Sequence, residues 1–167
     1  MNLEKFTERS RGFLQAAQTI AMRESHQRLA PEHLLKALMD DEQGLSSNLI
    51  RRAGGEPARV SEALALAMAK LPKVTGDAQP FMDTALVKVF DEAEKLAKKA
   101  GDSFVPVERI LMALCMVQGA AKTALDAGAV SAQTAPEWLS GELKKPLAET
   151  RIGITVLYPG SNSYQAK

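Results

Sequence analysis

"LAPEHLLKAL" at residues 29–38 and "FVPVERILMAL" at residues 104–114 say nearly the same thing twice. Matching Glu32 to Glu108 fixes an offset of 76 residues. At that offset Leu29 meets Val105, Leu34 meets Ile110, Leu35 meets Leu111, Ala37 meets Ala113 and Leu38 meets Leu114. The match runs upstream as well, pairing Leu14 with Phe90, Ala17 with Ala93, Ile20 with Leu96 and Ala21 with Ala97. Further on the offset shortens to 74, where Ala53-Gly54 meets Ala127-Gly128 and Pro72 meets Pro146. Apolar, small and helix-stopping residues recur together and in order, which marks a duplicated unit.

Each unit reads as four helices. Phe6, Phe13, Leu14, Ala17, Ile20 and Ala21 form one apolar stripe over roughly 3–24, with charged residues mostly between them. Pro31 suits a first helical position, because its missing N–H needs no partner there. A short helix around 45–53 is expected to stop at Gly54-Gly55, and Pro57 opens another that runs through Leu71 to Pro72. The polar, turn-rich "KVTGDAQP" (73–80) divides the halves. The second half repeats the plan with helices over about 82–100, over "VPVERILMALCM", up to Ala127-Gly128, and from Ser131 to Pro146. One unit is too small to bury its stripes, so two copies are expected face to face as one pseudo-twofold all-α domain. The tail "RIGITVLYPGSNSYQAK" departs from this pattern, and its "RIGITVL" reads as a strand. This tail also looks like the opening strand and turn of a periplasmic sugar-binding protein.

The composition is that of a globular chain, at 46% hydrophobic and 25% charged over 167 residues. A net charge of +1 gives no overall pull toward nucleic acid or an anionic membrane. No stretch approaches the ~18 apolar residues of a membrane span. The charged start "MNLEKFTERSRG" lacks the apolar run of a signal peptide. The lone Cys115 excludes an internal disulfide and fits a reducing compartment, so the expected address is the cytoplasm.

Catalytic and metal motifs are missing from the sequence. It has no G-x-x-x-x-G-K-[ST] to hold nucleotide phosphates, and no G-x-G-x-x-G or G-x-S-x-G. His26 and His33 lie seven apart, across a loop–helix junction, and read as solvent-facing or helix-start residues. A metal would need three or four convergent ligands, so neither a metal nor a cofactor is expected. Asp102 and Glu108 allow two readings. An acid–base pair is conceivable, although nothing nearby supplies a nucleophile. Alternatively Asp102 satisfies loop amides after Gly101, while Glu108 favours the positive end of a helix after Pro106. Thr7 reads as a surface threonine in the first helix, and Phe90, Leu96 and Ile110 read as core residues unless a cleft between the repeats exposes them.

"MNLEKFTERSRGFLQAAQTIAMRESHQRLAPEHLLKAL", together with "EKLAKKAGDSFVPVERILMAL", closely resembles the N-terminal domain of ClpB-type disaggregase chaperones, over about residues 1–145. The resemblance implies eight helices in two tandem four-helix Clp repeats (1–146), followed by a short non-family tail (147–167). It implies a non-catalytic domain tethered to AAA+ ATPase rings, which binds unfolded or aggregated polypeptide and passes it toward the central pore. It assigns substrate handling to Thr7 in "EKFTE", Asp102 in "AGDSF" and Glu108 in "VERIL". It further implies an apolar groove between the repeats, to which Phe90, Leu96 and Ile110 would contribute, with Glu92 and Arg109 interrupting it. A docking module for adaptor proteins is the alternative, and a truncated chaperone, an excised domain and a fusion all fit the tail.

Overall fold

The computed structural model describes residues 3–76 and 79–130. The helix expected from Ser131 to Pro146, and the strand and tail expected beyond it, lie outside the described residues. Seven α-helices are present among the described residues: α1 (Glu8–Arg23), α2 (Pro31–Met39), α3 (Leu45–Arg52), α4 (Pro57–Ala69), α5 (Thr84–Ala100), α6 (Val107–Met116) and α7 (Ala120–Ala127). The fold is all-α, with two-residue strands β1 (Arg28–Leu29) and β2 (Phe81–Met82) as its only named sheet among these residues.

Local chemistry sets the helix ends. Thr7 Oγ1 accepts from the Ser10 amide and caps α1, and Asp83 accepts from the Ala85 amide at the equivalent place on α5. Pro31 and Pro57 open α2 and α4. Gly101 closes α5 in the left-handed conformation. The sequence pattern located all seven helices, with α6 starting at Val107 where the helix was expected from Val105, and with two further differences at other starts. The first helix was expected from about residue 3 with Thr7 inside it, but a 3-10 turn at Leu3–Lys5 precedes an extended Phe6. Likewise α5 begins at Thr84, because Phe81–Met82 is drawn into β2.

Both further differences have one cause. Phe6 pairs in parallel with Val105, and Met82 pairs in parallel with Leu29. At the 76-residue offset these are the same contact seen from either copy, since Phe6 corresponds to Met82 and Leu29 to Val105. The segment leading into the first helix of each repeat thus pairs with the loop leading into the second helix of the other. The backbone bonds match too: the Thr7 amide donates to the Val105 carbonyl at 3.1 Å, and the Asp83 amide donates to the Leu29 carbonyl at 3.0 Å. Two seams related by the pseudo-twofold therefore join the repeats.

Between the seams one apolar core draws on every helix, including Leu34, Leu35, Leu64, Leu86, Phe90, Ile110 and Leu125. The repeats also cross tightly where Gly55 and Gly128 meet. A Cβ on Gly55 would lie 2.8 Å from the Gly128 carbonyl oxygen, and one on Gly128 would lie 2.9 Å from that of Glu56. No single helix among the described residues is long and apolar enough to cross a membrane.

Candidate functional site

The loop between α5 and α6 gathers three of the sequence-predicted site residues around one seam. Val105 is its centre, with Asp102 three positions before it and Glu108 three after. Thr7 faces it from the other repeat. A chain of hydroxyls reinforces the pairing: Thr7 Oγ1 donates to Ser10 Oγ at 2.9 Å, and Ser10 Oγ donates to the Val105 carbonyl at 2.9 Å. Thr7 is therefore the α1 cap and a seam residue, where a surface position within the helix was expected.

Asp102 accepts from Arg109 Nε at 2.8 Å. Arg109 is 2% exposed, so Asp102 neutralises a cation that lies in the protein, where the local reading had it satisfying loop amides. The remaining guanidinium approaches Met112 Sδ at 3.6 Å. Glu108 is half-buried in the first turn of α6, where its charge faces the positive end of the helix. Phe104 stands 55% exposed in the same loop, beside a 350 Å³ cavity that Lys5, Glu94, Lys98 and Asp102 also line. Lys5 and Glu94 make an ion pair at 3.6 Å across it.

The predicted apolar groove is corrected at two of its three residues. Phe90 is 1% exposed and stacks edge-on against Phe6 with ring centroids 5.6 Å apart, directly beneath the seam. Ile110 is fully buried. Both residues support the seam from within and present no surface to a ligand. Leu96 is half-buried and packs against the core. The apolar feature at this surface is Phe104, which the sequence reading did not single out.

A second feature was also missed. A 720 Å³ cavity opens between α1 and α2, floored by Phe13, Ile20 and Ala37, with Gly12 and Ala16 along its wall. Its counterpart between α5 and α6 measures 390 Å³ and is lined by Lys88, Glu92, Lys95 and Val117. At the 76-residue offset Gly12, Ala16 and Thr19 stand where the second repeat has Lys88, Glu92 and Lys95. Side-chain length at those three places was the signal that could have revealed it.

The other seam uses different groups. Arg28 and Asp83 form an ion pair at 3.3 Å. Glu32, the counterpart of Glu108, is 8% exposed, and burial holds its carboxyl above the ordinary range. His26 Nδ1 and His33 Nε2 lie 2.7 Å apart, with both rings buried. This overturns the solvent-facing reading of the histidines, although His33 does sit in the first turn of α2. Among the described residues no three His, Cys, Asp or Glu side chains cluster to hold a metal. Cys115 is buried, and burial pushes its thiol up to about 12, which leaves it unreactive near neutral pH.

Two repeats are thus cross-paired at two seams over a shared helical core. The Clp repeat (R) N-terminal domain matches residues 5–127. The chain belongs to this family. Chaperone protein ClpB of Rhizobium meliloti (strain 1021) is 48% identical over 146 residues, which is 87% of this chain and 17% of that protein. The chain thus spans about a sixth of that relative's length, and it matches the Clp N-domain and not the catalytic ATPase region. Among solved structures, the Hsp104 N-terminal domain from Candida albicans superposes with a TM-score of 0.73 at 22% identity, covering 84% of this chain and 91% of that one. A ClpV N-domain in complex with a VipB peptide superposes with a TM-score of 0.67 at 20% identity, covering 84% and 86%. These two likenesses establish the Clp N-domain fold.

Proposed function

We propose that this Clp N-domain captures exposed segments of unfolded or aggregated polypeptide at the Phe6–Val105 seam, for transfer to AAA+ ATPase ring subunits in the cytoplasm. One observation carries the reading: Thr7, Asp102 and Glu108 converge on a loop that also exposes Phe104. The aromatic side chain offers an apolar contact, while the flanking carboxylates and the Thr7 cap stand around a backbone edge held by the other repeat. Phe90, Leu96 and Ile110 act in this reading from below, by fixing the seam that presents Phe104.

The energetics suit transient capture. Burying about 300 Å² of apolar surface contributes several kcal/mol at about 25 cal/mol/Å². Lost translational and side-chain freedom offsets much of that. Weak binding lets a client leave toward the ring.

Titrating the isotope-labelled domain with an unfolded client tests this reading by NMR. Amide shifts confined to residues around 5–10 and 102–108 are expected. Shifts spread evenly over the surface, or confined to the cavity between α1 and α2, would overturn it.

Adaptor docking is the second reading, favoured by the VipB peptide bound to a ClpV N-domain of the same fold. Salt separates the two. Docking through Asp102 and Glu108 weakens steeply as charges are screened, whereas capture on Phe104 does not.

A further inference from the structure

At the 76-residue offset His26 corresponds to Asp102, and His33 corresponds to Arg109. Both pairs are struts that tie the loop before the second helix of a repeat to that helix's first turn. In the second repeat the strut is an ion pair at 2.8 Å. In the first it is a histidine–histidine hydrogen bond at 2.7 Å.

Hydrogen bonding fixes both tautomers. The Ala30 amide donates to His33 Nδ1 at 2.9 Å, so that nitrogen carries no proton. Neutral His33 then bears its proton on Nε2 and donates it to His26 Nδ1. His26 in turn carries its proton on Nε2, at the edge of the ring away from the strut. There is no room for a further proton. Placed on His26 Nδ1, it opposes the Nε2–H of His33. Placed on His33 Nδ1, it opposes the Ala30 N–H. Moving the His33 proton from Nε2 to Nδ1 only shifts the conflict from one bond to the other. Every singly charged form of the pair sets two donors against each other at 2.7 or 2.9 Å.

The neighbouring charges do not relieve this conflict. Arg23 and Glu24 from the end of α1, Lys36 from α2 and Lys73 from the linker surround the adjacent cavity, and α4 contributes only Ala65, Met68 and Ala69 to it. Glu24 favours the charged imidazole and Lys73 opposes it, while burial outweighs both at His26.

The loop that this strut holds carries the whole seam on its side. The Ser25 carbonyl accepts from the Val74 amide, and the Gln27 amide donates to the Pro72 carbonyl, which fastens the inter-repeat linker. The Gln27 and Leu29 carbonyls accept from the amides of Phe81 and Asp83, which fastens the start of α5. We propose that the His26–His33 strut is a proton-operated latch: mild acid weakens it and loosens the linker and the Arg28–Met82 seam, while the Phe6–Val105 seam, whose strut contains no imidazole, stays closed.

Hydrogen exchange on the full chain tests the latch, with protection factors corrected for intrinsic rates. From about pH 7 to about pH 5, protection at Gln27, Val74, Phe81 and Asp83 is expected to fall about twentyfold, the linkage ratio for one histidine held at about 4 when closed and 6.5 when open. Protection at Thr7 and Val105 is expected to change less than about twofold. The double substitution His26→Asp with His33→Arg copies the second repeat's strut and is expected to abolish the response. Imidazole ¹⁵N shifts of the unsubstituted chain give a readout that needs no variant, with both rings expected as the Nε2–H tautomer. Equal loss of protection at both seams, an unchanged Arg28–Met82 seam, or either ring protonated on Nδ1 at about pH 7 would overturn the latch.

Discussion

Around Val105, a buried arginine and a half-exposed aspartate hold the loop that meets Phe6; around Leu29, two neutral histidines hold the loop that meets Met82. The backbone geometry of the two seams is nearly the same, with matching amide–carbonyl bonds at 3.1 and 3.0 Å. What differs is the chemistry that fastens each loop, and the groups it leaves at the surface. Duplication thus preserves the positions that pack and pair, and leaves free those that need only some complementary pair of side chains. In the second repeat that freedom places an exposed phenylalanine, Phe104, in the loop itself, although Phe81 of β2 is exposed to the same degree at the other seam. In the first repeat it yields a strut that protons can weaken.

The largest expected contrast is between glycines that correspond at the 74-residue offset. A Cβ on Gly128 would come within 2.3 Å of Val60 Cγ2, so Gly128→Val should cost about 3 kcal/mol or more by overpacking the crossing between repeats. Gly54 has a φ of +88°, and a Cβ added there would meet nothing within 4 Å, so Gly54→Ala should cost only about 1–2 kcal/mol of backbone strain. Denaturant unfolding measures both, and equal costs would contradict the tight crossing.

Next comes pH. Burial, followed by the neighbouring His26, holds His33 down to about 4, so the unfolded chain binds more protons than the folded one between about 4 and 6.5. Stability should therefore rise with pH through that window, and about 3 kcal/mol should be lost on acidification across it. Glu32, whose carboxyl is raised, acts with the opposite sign and flattens the lower part of the curve. Chemical unfolding at a series of pH values checks the slope, and the Asp/Arg strut swap should remove most of it.

Smaller effects separate the struts by mutation. Asp102→Asn leaves the buried Arg109 without its counter-charge and should cost about 2 kcal/mol. At the equivalent position His26→Asn keeps an acceptor toward His33 and should cost about 1 kcal/mol. The smallest contrast lies at the caps. Thr7→Ala should lose about 1 kcal/mol through the bare Ser10 amide, and Asp83→Ala a similar amount plus its ion pair with Arg28. Thermal unfolding of the two single variants is sufficient to rank them.

The helices were legible because their apolar spacing, prolines and glycines all agree, and the 76-residue echo set the pairing of the halves. The seams were not. A parallel contact of one or two residues leaves no periodicity, so Phe6 read as the first turn of a stripe when it is a strand-like contact. Phe90 and Ile110 fit both a core and a groove at helical spacing, and only packing decides between them. The histidine pair spans a loop and a helix start, and only the turn through Ser25, left-handed at a φ of +58°, brings residues seven apart into contact. Thr7, Asp102 and Glu108 are site candidates only through the family resemblance, and their placement around the Val105 loop depends on the cross-pairing. Phe104 is not marked by the echo, because its counterpart at the 76-residue offset is the charged Arg28.

That last correspondence offers the most direct test of capture at the Phe6–Val105 seam. A photo-reactive residue is placed at position 104 in one variant and at position 28 in another, and each is irradiated with the same unfolded client. Strong cross-linking from 104 and little from 28 is the predicted result. Equal capture at both positions, or preference for 28, would contradict the account.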